Sequence, residues 1–212
     1  MTYPSLSLEA ELLETYDFVI GVDEVGRGAL AGPVAVGAVA VSESHLDGLP
    51  EGVRDSKLVP ESKRGAISAS IQSWANHNVG YSTVSEIEAF GISVALKLAA
   101  VAAITPLVQG KCVVLLDGSQ NFLADAGLGV DVILRVKADR DHASVAAAAL
   151  VAKVKRDNVM RELHDTNPIY DWKSNKGYAS ASHIAALQSL GPTEHHRKSW
   201  LAKILSNQNS LF

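Results

Sequence analysis

FVIGVDEVGRGALAGPVAVGAVAV, residues 18–41, is the stretch on which the fold turns. Phe18 to Val22 is a short apolar run that reads as a strand and ends directly on Asp23-Glu24. Gly32-Pro33 leads into a second strand, the valine-rich run Val34 to Val41. Between the two lies a glycine-rich loop, Val25 to Pro33, whose main chain can come close to a ligand. Beside an acidic site, such a loop with one arginine suits a sugar–phosphate backbone.

Outward from there, Ser44 to Pro60 is turn-rich and reads as a loop carrying Asp55-Ser56-Lys57. Glu61 to Asn76 has helical spacing, and Val79 to Val84 reads as a strand. Ser85 with Glu88 forms a capping-box pattern that should open a helix running to about Ile104, before Pro106. Cys112 to Leu116 is an apolar strand ending on Asp117-Gly118, and Val132 to Val136 is another, ending near Asp139. Ala143 to about Leu163 is a long alanine-rich helix. Two shorter helices are expected near Ser182 to Leu190 and Glu194 to Leu205. This order predicts an α/β fold, a mixed β-sheet flanked by helices with a small C-terminal helical extension. A single catalytic domain is expected over 1–212, with a core at about 17–165, a helical part at about 166–206 and a flexible tail at 207–212.

The 212 residues, 47% of them hydrophobic, suffice for one sizeable core. No run of about 18 apolar residues supports a membrane span. The acidic N-terminal stretch does not read as a signal peptide. One cysteine, Cys112, excludes an intrachain disulfide and points to a reducing cytoplasm, with Cys112 itself a core filler. A net charge of −4 argues against a general polyanion binder, but only weakly where carboxylates hold metal. Basic residues are also grouped: Lys153, Lys155 and Arg156, then Lys173 and Lys176, then Arg197 and Lys198.

The informative acids are those at strand ends. In open α/β sheets ligands gather beyond the strand termini, so Asp23, Glu24, Asp117 and Asp139 can converge there. Two carboxylates about 5 Å apart repel by roughly 3 kcal/mol at an effective dielectric near 20. A group of them therefore takes up protons or binds a divalent cation. Oxygen-only ligands favour Mg²⁺ or Mn²⁺ over Zn²⁺. Asp141 competes with Asp139 for the fourth place, and His183 and His196 read as capping or packing residues.

The segment GVDEVGRGALAGPV, residues 21–34, resembles the signature of ribonuclease HII of the bacterial type, and the likeness extends over nearly the full chain. Asp55-Ser56-Lys57, with Lys63 and Arg64 after it, resembles a further element. So do Leu116-Asp117-Gly118, the run at 136–160, Asn175-Lys176-Gly177-Tyr178 with His183, and Gly191-Pro192-Thr193 with the run at 196–200. Ala138, Ala149 and Ala179-Ser180 depart from the usual pattern by small-for-small changes. The resemblance implies a ribonuclease H-like sheet and an endonuclease that hydrolyses the RNA strand of RNA–DNA hybrids. It also implies cutting 5′ to ribonucleotides embedded in duplex DNA, giving 5′-phosphate and 3′-hydroxyl ends, in ribonucleotide removal and repair. It assigns catalysis and metal binding to Asp23, Glu24, Asp117 and Asp139, with two Mg²⁺ or Mn²⁺ ions per site when substrate is bound. Gly26, Arg27 and Gly28 would read the ribose 2′-OH, and Tyr178 would stack on the following deoxyribose. Ser56, Lys57, Lys176 and Arg197 are expected at the substrate, the three cations as phosphate contacts, with Lys173 as a further one.

The last residues, Gln208-Asn209-Ser210-Leu211-Phe212, resemble the short peptide by which bacterial proteins dock on the replication sliding clamp. Gln208, Leu211 and Phe212 would make that contact. A cytoplasmic monomer is expected. Two rival readings are a nuclease indifferent to the 2′-OH and a non-catalytic hybrid-binding or clamp-associated factor. Comparing all-DNA, all-RNA and junction substrates separates the first; four intact acids argue against the second.

Overall fold

A computed structural model describes residues 3–206 of the chain. Its elements run α1 (Ser7–Leu13), β1 (Phe18–Val25), β2 (Val34–Val41), α2 (Glu61–Trp74), β3 (Asn76–Ser82), α3 (Val84–Phe90) and α4 (Ile92–Ile104). They continue with β4 (Cys112–Asp117), β5 (Asp131–Arg135), α5 (Ala138–Asp141), α6 (Ala143–Thr166), α7 (Trp172–Asn175), α8 (Ala181–Leu190) and α9 (Ala202–Ser206). Gln208, Leu211 and Phe212, expected to dock on a clamp, lie outside the described residues.

The five strands form one mixed sheet in the order β3-β2-β1-β4-β5. β1 pairs antiparallel with β2 and parallel with β4, and β4 pairs parallel with β5. A two-sided sheet needs apolar residues at both parities, which is why β1, β2 and β4 read as continuous apolar runs. Ile20 and Val22 of β1 pack with Val114 and Leu116 of β4 against α4. Val19, Val113 and Leu115 face the opposite way, against α6. The alanines of α6 let that helix lie close on the sheet. A Cβ added at Gly21 would run into the main chain of Ser144, so the helix start sits directly on β1.

Several elements differ from expectation. Asp23 and Glu24 lie inside β1, which continues to Val25. β3 starts at Asn76, because an edge strand tolerates polar residues that resemble a helix end. The helix expected from Ser85 to Ile104 is two helices, broken at Gly91, whose φ is 79°. Its capping box is Thr83 with Glu86, while Glu88 instead accepts from the Ser199 amide and hydroxyl at 3.0 and 2.7 Å. The single helix expected at Glu194 to Leu205 is a 3-10 turn at Lys198–Trp200 followed by α9. His196 lies before both, bridged to Ala31.

α1 was not foreseen. Its buried Glu9 accepts from the amide and hydroxyl of Ser144 at 2.9 and 2.7 Å and so caps the start of α6 from 135 residues away.

Candidate active site

Parallel pairing of Val22 with Leu116 puts Asp23 and Asp117 at the same level on adjacent strands. Strand alternation sends both toward the α6 face, with Gly21 and Leu115, and sends Glu24 to the opposite face, with Val22. Asp139 arrives differently from the sequence reading. β5 ends at Arg135, Lys137 takes a left-handed conformation, and Asp139 sits on the short helix α5. Asp117 Oδ1 accepts from the Ala138 amide at 2.7 Å, which ties α5 to the end of β4. Asp139 is buried, whereas Asp141 is half-buried and engaged by Arg140 at 2.9 Å.

The electrostatics record four acids around one strand end. Burial holds the Asp23 carboxyl well above its usual range, and Glu24, Asp117 and Asp139 add to the shift. Burial likewise raises Glu24, against the pull of Arg27 at 3.5 Å. Burial raises Asp139, helped by Asp55 and Asp117 and opposed by Lys57, whose ammonium is 3.6 Å away. No three His, Cys, Asp or Glu side chains among the described residues stand at the spacing of a ready-made metal cage. Departure of Glu24 from the other face of β1 is consistent with that. The donor set nonetheless suits a hard cation. Asp23 Oδ1 accepts from the Glu24 amide at 2.8 Å, so Asp23 and Asp117 each commit one oxygen to the main chain and keep the other.

The loop after β1 borders the acids. Gly26 has a φ of 82°, and a Cβ there would collide with the Arg156 guanidinium. Asp23, Glu24, Arg27, Lys57, Lys153 and Tyr178 are among the residues lining a cleft of about 420 Å³, with Ser56, Gly26 and Gly28 beside them. The Gly26 amide donates to the Tyr178 hydroxyl at 3.2 Å. Arg64 Nε donates to the carbonyls of Ser56 and Val59 at 3.1 and 3.0 Å, fixing the loop that carries Lys57.

Two expected phosphate contacts are corrected. Lys176 is buried, with its ammonium on Glu61 Oε1 at 3.0 Å and on the Lys173 carbonyl. Arg197 is fully buried, its guanidinium facing the carbonyls of Gly26, Arg27 and Gly32. Burial, then the neighbouring Arg156, lowers Arg197 to about 10. Neither side chain is placed to meet a phosphate.

His183 and His196 are packing residues. Trp172 Nε1 donates to His183 Nε2 at 3.1 Å, and His183 Nδ1 donates to the Tyr178 carbonyl at 2.9 Å. His196 Nδ1 accepts from the Thr193 amide at 2.9 Å, so its Nε2–H is the donor toward His183 Nε2 at 3.1 Å. That proton arrangement has both rings neutral.

Sequence reading passed over Lys153 and Arg156 as site residues. Lys153 lines the cleft, paired to the buried Asp157 at 2.8 Å. Arg156 donates to the carbonyls of Pro33, Lys176 and Ala31 at 3.1, 2.6 and 3.1 Å. The available signal was position: Arg156 falls on the helical face of the buried Ala149 and Ala152.

The family model described as Ribonuclease HII matches residues 20–203. A ribonuclease HII of Wolbachia sp. subsp. Brugia malayi is 40% identical over 211 residues, covering 100% of both chains. The solved PCNA:RNase HII complex from Archaeoglobus fulgidus contains a chain 25% identical, with a TM-score of 0.72 over 86% of this chain and 95% of that one. Bst-RNase HIII, solved in complex with Mn²⁺, is 20% identical with a TM-score of 0.71, over 93% of this chain and 72% of that one. The mixed sheet flanked by helices is thus the ribonuclease H type of fold, and the chain belongs to the ribonuclease HII family, whose members are ribonuclease H hydrolases.

Proposed function

We propose that this ribonuclease H hydrolyses the RNA strand of RNA–DNA hybrids and cuts duplex DNA 5′ to embedded ribonucleotides, leaving 5′-phosphate and 3′-hydroxyl ends. Ribonucleotide removal during replication and repair is its proposed role. The observation that supports the reading is adjacency: Asp23-Glu24 and, one residue on, Gly26-Arg27-Gly28 line the same cleft, so the proposed metal-binding acids and the proposed ribose-reading loop share one short stretch.

Asp23, Glu24, Asp117 and Asp139 would hold two divalent cations, Mg²⁺ or Mn²⁺. Bound there, such cations supply activation of a water and stabilisation of the departing 3′-oxygen. The chain's own residues orient the substrate. Arg27 and Lys57, which both line the cleft, meet phosphate charge, and Ser56 beside them supports the same nucleic-acid strand. Main-chain groups of Gly26 to Gly28 contact the 2′-oxygen that DNA lacks. Tyr178, 37% exposed and tied to Gly26, offers its ring to the next deoxyribose.

The chain would act as one catalytic unit, with a core at about 17–165 and helical residues at about 166–206. No helix of the described residues is long and apolar enough to cross a membrane, and we read the enzyme as a cytoplasmic monomer. Clamp docking through Gln208, Leu211 and Phe212 rests on their sequence and on the Archaeoglobus relative having been solved with PCNA.

The test is cleavage of a duplex with one ribonucleotide, with end-group analysis of the products. Wild type should cut it with Mg²⁺ or Mn²⁺ and leave all-DNA duplex intact. Asp23→Asn or excess chelator should abolish cutting. Full activity in chelator, or equal cutting of all-DNA duplex, would overturn the proposal.

A further inference from the structure

Gly26 and Arg27 turn their carbonyls into the protein. The Gly26 carbonyl accepts from Arg197 Nη2 at 2.8 Å and from the Ala29 amide at 3.2 Å, which uses both of its lone pairs. The Arg27 carbonyl accepts from Arg197 Nη1 at 2.7 Å. Arg197 Nε and Nη2 also reach the Gly32 carbonyl, at 3.2 and 3.0 Å. Among the described residues Arg197 has no carboxylate within ion-pair distance; its partners are main-chain oxygens.

A trans peptide points its C=O and the following N–H in opposite directions. Fixing the Gly26 carbonyl inward therefore turns the Arg27 amide outward, and fixing the Arg27 carbonyl inward does the same for Gly28. Both residues are exposed, and neither amide donates to any group among the described residues.

We infer that Arg197 is a positioning residue for ribose selection, holding the Arg27 and Gly28 amides as a preset pair of donors for the 2′-oxygen. The inference rests on the proposed function and goes further in naming what sets the loop. Arg197 touches no substrate; it acts through the two peptide planes it locks. A planar fork is required, because one side chain must satisfy three carbonyls in fixed directions. Lysine keeps the charge and loses the fork.

The experiment compares wild type with Arg197→Lys on two duplexes of one sequence, with and without a single ribonucleotide. Single-turnover rates are read, and Mn²⁺-induced shifts in Tm report the acid site. The variant should keep the Mn²⁺ shift and lose on the order of tenfold or more of its preference for the ribose-bearing duplex. A second measurement needs no substitution. In wild type, the Arg197 Nη resonances should show hindered rotation before any duplex is added, and addition should leave them unchanged. A variant that keeps the wild-type preference, or freely rotating Nη groups in the free protein, overturns the inference alone. Indifference of wild type to the ribose overturns the proposed function and this inference together.

Discussion

Acidification should unseat the buried histidine pair, and the effect can be sized. His196 is about 1% exposed and surrounded by Tyr170, Trp172 and His183. Burial, then His183, His195 and Lys198, lower it from 6.5 to about 4. A group with a depressed folded value binds its proton later than the unfolded chain does. The stability it contributes is therefore complete above about pH 6.5 and is lost as the pH falls toward 4. At about 1.4 kcal/mol per pH unit, the loss is at most roughly 3.5 kcal/mol. His183 is lowered too, by burial, and adds in the same direction. The acids near Asp23 act oppositely, since their folded values are raised, so the comparison must cancel them. Urea unfolding of wild type and His196→Gln between pH 7.5 and 4.5 does so. Wild type should be more stable at pH 7.5, and the gap should narrow by about 2.5 kcal/mol across the range. A constant gap, or a His196 ring titrating near 6.5 in the folded protein, would refute the reasoning.

Asp23→Asn should raise stability by about 1 kcal/mol at pH 8 in chelator, because it removes a buried like charge while keeping an acceptor for the Glu24 amide. The gain should fade by pH 4, where wild-type Asp23 is itself protonated; a variant less stable at pH 8 contradicts the electrostatic account. Gly21→Ala should cost roughly 1–3 kcal/mol or more, because its Cβ meets the Ser144 main chain. An unchanged urea midpoint would mean that α6 is not seated on β1 as described.

The strands were legible because β1, β2 and β4 are apolar throughout and are bounded by glycine, proline or acid. The edge strand β3 was read only in its second half, from Val79, since Asn76-His77-Asn78 carries no apolar pattern. Thr83–Glu86 and Ser85–Glu88 match one capping pattern equally, and only the far contact of Glu88 with Ser199 separates them. Asp23, Glu24 and Asp117 could be placed from strand ends. Asp139 needed knowledge that the chain turns through a left-handed Lys137 onto α5. Lys176 and Arg197 were misread for one reason. Positive charge in a sequence does not say whether its partner is a phosphate outside or a carbonyl inside, and the carbonyls of Gly26 and Arg27 are 171 and 170 residues distant from Arg197.

That distance bears on how the enzyme is born. The acids of β1 and the turn after them leave the ribosome early, yet the guanidinium that orders the turn is made 170 residues later than Arg27. At about 5–20 residues per second, the delay is on the order of 10–30 s. Until then the carbonyls of Gly26 and Arg27 lack the partner that turns them into the protein, and the turn after β1 reaches its final form only when the C-terminal part of the chain has been made.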